Sequence, residues 1–182
     1  MKKLSLLIGF CLMVVSLSAQ QTRKEVTNIT TQFDDSKGLS SSVPEVYALT
    51  GQFKQILVLR FKFGTDLLAG IDSMVKVNHV RNAVILSGMG SVRGYHIHVV
   101  SNRTFPSKNM FVKDPTAPAD IINTNGYVIN GRVHAHVTLA DAEKSFGGHL
   151  EYGTPVFSFA VVTIGVFGDD VNLDKVDDKN YR

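Results

Sequence analysis

Three of the six histidines, His134, His136 and His149, fall within residues 131–151. Neutral imidazole is a good ligand for zinc and its transition-series neighbours, at ~2.0–2.1 Å from the metal. Three histidines on one cation leave a fourth position open. That is the pattern of catalytic zinc sites, whereas structural sites are closed by four protein ligands, often cysteines. The only cysteine is Cys11, far from these histidines in the chain. The open position could receive a small-molecule ligand. It could equally activate water, with Glu151 or Asp141 as the base, which makes Glu151 the candidate catalytic residue. The competing reading is that these are ordinary half-buried strand histidines. His96 and His98 form a second pair two apart. Nothing local in the sequence brings a third ligand beside them, so they read as a polar strand face.

A hairpin must position the cluster. Side chains two apart on a strand share a face, so His134 and His136 emerge together while Val133, Ala135 and Val137 turn away. Asp141-Ala142-Glu143-Lys144 reads as the reversal and Phe146 to Leu150 as the returning strand. A loop of Ala142-Glu143, or of Asp141 to Lys144, sets His136 opposite His149 and His134 opposite Glu151. Directly opposed residues share a face, with Cβ atoms ~4.5–5.5 Å apart. A three- or five-residue loop would send His149 to the other face. Gly147-Gly148 is a candidate bulge.

The remaining elements follow from periodicity. Residues 45–50 and 55–63 read as strands, the second burying Leu57, Leu59, Phe61 and Phe63. Leu67, Leu68, Ile71, Met74 and Val75 follow a helical period, with Thr65 as N-cap and Asp66 in the first turn. Residues 83–86 form a short strand and 87–91 a turn; a lone Gly-x-Gly there lacks the third glycine and helix of a dinucleotide fingerprint. Residues 92–100 alternate as a strand. Residues 101–119, with three prolines, read as a loop or a short irregular hairpin around Met110-Phe111-Val112, and 121–129 as a strand interrupted at 123–126. Pro155 to Phe167 is apolar enough for a strand buried on both faces. One helix among many strands argues for an α+β fold.

Residues 1–20 combine Lys2 and Lys3, an apolar run and small residues before Gln20, as in a secretory signal peptide. The run is short for a membrane span, so none is expected once the leader is removed. Export implies a periplasmic or extracellular location, and the residues before Cys11 do not suit lipid modification. The expected organisation is a leader over 1–20, a flexible linker over 21–42, one domain over 43–168 and a polar tail over 169–182. A hydrophobic content of 44% in 182 residues supports one core. The formal charge of +3 includes Lys2 and Lys3; without them 17 basic residues face 16 acidic ones, a balance of +1. Such near-neutrality argues against nonspecific nucleic-acid binding, which needs Lys and Arg to neutralise phosphates.

The segments GTDLLAGI, AVILSGMGSV, GRVHAHVTLAD and FGGHLEYGTPV, with the closing apolar strand, resemble the PPC domain over about residues 45–167. This plants-and-prokaryotes conserved module follows AT-hooks in plant nuclear proteins and occurs alone in bacteria. The resemblance implies a mostly antiparallel sheet with one main flanking helix, assembled as a homotrimer. It also implies a metal site, zinc being the expected ion, at His134, His136 and His149. The family is usually described as DNA-binding. This chain has no Arg-Gly-Arg-Pro AT-hook, and Ala119 to Asn123 matches the plant partner-binding motif poorly. With the leader, these departures argue against nucleic acid as the partner. The expectation is therefore an exported trimeric metal-binding module, with a metal-dependent hydrolase and a DNA-binding protein as alternatives.

Overall fold

Period-two alternation covers most of the chain, and a sheet is what it builds. The computed structural model describes residues 25–30, 40–104 and 107–176; the expected leader, and with it Cys11, lies outside them. The elements are β1 (Glu25–Thr30), β2 (Phe53–Lys62), α1 (Leu67–Val77), β3 (Ala83–Val92), β4 (Tyr95–Val100), β5 (Lys108–Asp114), β6 (Ala119–Ile129), β7 (Arg132–Ala140), β8 (Ser145–Leu150) and β9 (Val156–Phe167). They form one nine-stranded sheet in the order β1-β5-β4-β8-β7-β6-β3-β9-β2. Every pairing is antiparallel. The expected α+β class, a mostly antiparallel sheet with a single main helix, is the architecture found. No helix among the described residues is long and apolar enough to cross a membrane.

One face of the sheet holds the core. Leu59, Phe61, Ile85, Ile121, Val137, Leu139, Leu150 and Ile164 pack there with Leu67, Ile71 and Val75 of α1. The helical residues recur at i, i+4 and i+8, a single stripe, and each large side chain fully buried there contributes roughly 1.5–3 kcal/mol. The opposite face stays open along β2, β3 and β9, where Ile56, Val58, Leu86, Met89, Phe157 and Phe159 are exposed. His134 and His136 belong to this outer face, because Ala135 and Val137 between and beside them are buried.

Several local expectations change. Residues 45–50 form no strand, and Phe63 is exposed beyond the end of β2. The expected turn at 87–91 is the second half of β3, which continues past a bulge between Ile85 and Ser87. Its glycines serve close strand approach: a Cβ on Gly88 would strike Thr124, and one on Gly90 the backbone at Phe159 and Ala160. The loop or irregular hairpin expected over 101–119 contains β5, which includes Met110 to Val112, and the interruption expected at 123–126 is absent: these residues pair in register within a continuous β6, whose bulge falls earlier, between Ile121 and Asn123. The first half of β9 exposes Phe157 to Phe159, so only its second half is buried on both faces. Within the expected linker, β1 pairs with β5. The expected tail begins with two buried residues, Val171 and Leu173, packed on Ile129.

The helix cap also shifts, with a consequence for the site. Asp66, not Thr65, is the N-cap, its carboxylate accepting from the Ala69 N–H at 2.9 Å. The second carboxylate oxygen accepts from the N–H groups of Gly153 and Thr154, at 2.7 and 2.9 Å. Tyr152 adds a hydrogen bond from its hydroxyl to Asp72 on α1, at 2.9 Å. One carboxylate therefore starts the helix and pins the segment after β8. Asp66→Ala should lower unfolding free energy by ~2–3 kcal/mol, a cap and two charge-assisted bonds together, measurable by urea titration. Asp66→Asn should recover part of that loss.

Candidate metal centre

The hairpin closes with Ala140 opposite Ser145, a four-residue loop over 141–144, and this register puts His136 opposite His149. Asp141 fixes the loop. Its Oδ1 accepts from the N–H groups of Glu143 and Lys144, both at 2.9 Å, and these bonds hold its carboxyl below the usual range. Asp141 is thus consumed by the turn and is not a base at the histidines. Gly147 and Gly148 make no bulge. They pair in register with Thr138 and Val137, and a Cβ on either would strike a neighbouring carbonyl, that of Val137 or of His98.

The other edge of β8 pairs with β4, where His98 lies opposite His149. Three strands thereby deliver four imidazoles to one patch. His149 stands at its centre: its ring lies 4.4 Å from that of His98, stacked, and 4.8 and 5.4 Å from those of His134 and His136, edge-on. His134 Nε2 and His136 Nε2 are 3.3 Å apart. His98, read from sequence as a polar face residue, is therefore part of the cluster. The signal that could have found it was its spacing from His96, but the β4–β8 pairing joins residues about fifty apart. His96 itself is diverted, its Nδ1 lying 2.8 Å from the Tyr152 carbonyl.

Glu151 reaches the cluster by a different route from the one the hairpin register suggests. Strand β8 ends at Leu150, and the Glu151 N–H donates to the His96 carbonyl at 3.0 Å, so Glu151 leans towards β4 rather than opposing His134. Its Oε1 lies 2.6 Å from His98 Nδ1 and 3.4 Å from His149 Nδ1. The longer contact lacks hydrogen-bond alignment and leaves His149 Nδ1 buried without a hydrogen bond. Burial alone would raise the Glu151 carboxyl, but the polar contacts and charge of His149 and His98 overcome it and bring it down to about 2. Burial, reinforced by His149 and His98, lowers the pKa of His136 and so favours the neutral ring that can donate a lone pair.

Among the described residues one group brings three donor atoms together: those of His98, His149 and Glu151 all lie within 4.8 Å of one another. His134 and His136, the expected ligands beside His149, are not in that group; they meet His149 by edge-on ring contacts and each other through their Nε2 atoms. Two nitrogens each ~2.0–2.1 Å from a tetrahedral cation are ~3.3–3.4 Å apart. The His134–His136 separation, itself within hydrogen-bond distance, is close to that value; the 2.6 Å His98–Glu151 contact is a shorter hydrogen bond.

The sequence profile of the Plants and Prokaryotes Conserved (PCC) domain matches residues 48–168. This chain belongs to that family. All the residues of the cluster fall inside the PCC match, which is the family suggested by the GRVHAHVTLAD and FGGHLEYGTPV segments. Solved structures share the fold. A plant- and prokaryote-conserved (PPC) protein from Pyrococcus horikoshii is 22% identical, with a TM-score of 0.57, over 75% of this chain and 94% of its own. The metal-containing protein AF0104 from Archaeoglobus fulgidus is 21% identical, with a TM-score of 0.58, over 74% of this chain and 95% of its own. A Bacteroides thetaiotaomicron protein whose name proposes DNA binding is 14% identical, with a TM-score of 0.53, over 67% and 86%. No curated protein matches the chain.

Proposed function

We propose that this PCC-domain chain is an exported, homotrimeric metal-binding module in which His134, His136 and His149 hold one divalent cation, zinc by preference, with a coordination position left open. The observation that carries this reading is the 3.3 Å spacing of two Nε2 atoms beside a third ring set edge-on to both. A same-fold protein from Archaeoglobus is named as metal-containing, which supports it further. The bound cation would polarise whatever enters the open position. Glu151, hydrogen-bonded to His98 Nδ1 and 3.4 Å from His149 Nδ1, takes the role of the negative charge beside the ring that donates to the metal.

Metal analysis of the untagged mature protein tests the reading. About one zinc per chain should survive purification or be taken up on titration, and a preparation that refuses added zinc would overturn it. Glu151→Gln should weaken zinc binding ~10–100-fold while leaving the saturated stoichiometry at one, because it alters a ligand's support and not a ligand. Competition titration against a chelating dye measures this. Loss of stoichiometry would instead make Glu151 a ligand, in the set with His98. Sizing by light scattering checks the trimer.

The hydrolase reading is weaker on the same geometry. Glu151 Oε1 is engaged by His98 Nδ1 at 2.6 Å, and a base has to be free to take the proton of the attacking water. Nucleic-acid binding would require a steep fall of affinity with salt in a gel-shift titration. A charge balance of +1 beyond the leader gives it little support.

A further inference from the structure

The outer face beside the histidines is not a uniform surface. Tyr127 on β6 lies directly opposite His134 on β7, and Asn125 directly opposite His136. Opposed residues share a face at ~4.5–5.5 Å between Cβ atoms, so a phenol and a carboxamide flank the two imidazoles. Both side chains are exposed, Tyr127 at 41%. Tyr127 also lines a groove of ≈ 1210 Å³ formed where residues 40–51 pass the segment 171–176. Its walls include Val43, Pro44, Leu49, Val171 and Leu173. The histidine patch and the groove therefore meet at one side chain.

We propose that the open metal position is the head-group end of a binding site for an amphipathic monocarboxylate, whose apolar body runs over Tyr127 into this groove. The inference rests on the metal reading above and names the class of ligand that site would take. Charge selects the head. Three neutral imidazoles leave a dication's charge intact, and the single carboxylate at hand, Glu151, offsets only half of it, so an anion is attracted. A carboxylate oxygen is an ordinary fourth ligand for zinc. Its second oxygen has the Tyr127 hydroxyl and the Asn125 carboxamide as donors in reach of the same face. The groove selects the body. Its volume slightly exceeds the ~300–1,000 Å³ usual for small-ligand sites, and its lining, more apolar than polar but including Ser40, Ser41, Glu45, Thr50 and Lys175, is of the mixed composition such sites have.

The test uses the full mature chain loaded with cobalt(II), whose visible absorption reports a change of ligand at the metal, and octanoate against acetate as probes. Both should perturb the spectrum, with octanoate binding ~100-fold tighter, since each methylene buried adds to affinity. Leu49→Arg, at an exposed position that the core does not use, should abolish the octanoate advantage while leaving metal content and acetate binding unchanged. Octanoate no tighter than acetate, or an advantage that persists in Leu49→Arg, overturns the groove assignment with the metal reading intact. Octanoate that binds without any spectral change overturns the head-group assignment. Cobalt that fails to load overturns the metal reading and this inference together.

Discussion

His149→Ala should reduce bound zinc from about one per chain to less than about a tenth, with the sheet intact. The expectation follows from the ring's position: it packs against His98, His134 and His136 and belongs to both possible ligand sets. Removing it leaves no three-ligand site, whichever set is used. The fold should tolerate the loss, because the side chain is about a quarter exposed and lies on the open face, away from the core. A stability change below ~1.5 kcal/mol in the metal-free protein is expected, the range of changes that create no core cavity. His79→Ala is the control. His79 lies past the end of α1 at a positive φ of 51°, and its removal should leave metal content unchanged. Full metal retention by His149→Ala, measured on protein of native circular dichroism, would refute the centre as described.

Gly126→Ala should cost at least ~3 kcal/mol and weaken metal binding without touching a ligand. Gly126 sits between Asn125 and Tyr127, opposite Ala135, the residue between the two histidines of β7. Its φ of 142° is one that side chains disfavour, a strain of ~1–3 kcal/mol. A Cβ there would also strike the His134 carbonyl and the backbone of Ala135, neither of which is a flexible chain end. Relief requires β6 and β7 to separate, and overpacking of this kind adds ~1–3 kcal/mol. The strand that would move is the one carrying His134 and His136. Urea unfolding and zinc titration on the same variant should therefore change together. A stable variant with unaltered affinity would show that β7 is not held in place by this contact.

The parts of the site legible from sequence were those set by local chemistry. The Asp141 turn fixes the β7–β8 register, and with it the His136–His149 pair, because the loop bonds are made between neighbours. His98 was hidden because its partner strand lies about fifty residues away, and strand order is decided by packing that no short window contains. Glu151 does reach the histidines, but not by the expected route: parity was extended past Leu150, where β8 has already ended. Glycines caused the other errors. In Gly88-Met89-Gly90 and at Gly126 they suggest turns, yet the structure uses them where two backbones come too close for a Cβ. The single-residue cap error arose because Thr65 and Asp66 both suit a helix start, and only the distant Gly153 and Thr154 amides decide between them.

The β4–β8 ladder is the shortest lashing in the sheet, with Ile97 opposite Leu150 and His98 opposite His149 as its registered pairs. It divides β1, β5 and β4 from the six strands beyond, so breathing of the native state should start along this seam. The His98–Glu151 bond crosses it. An ion shared by His98, His149 and Glu151 would tighten that crossing, and would then double as the rivet that keeps the two flaps of the sheet from parting.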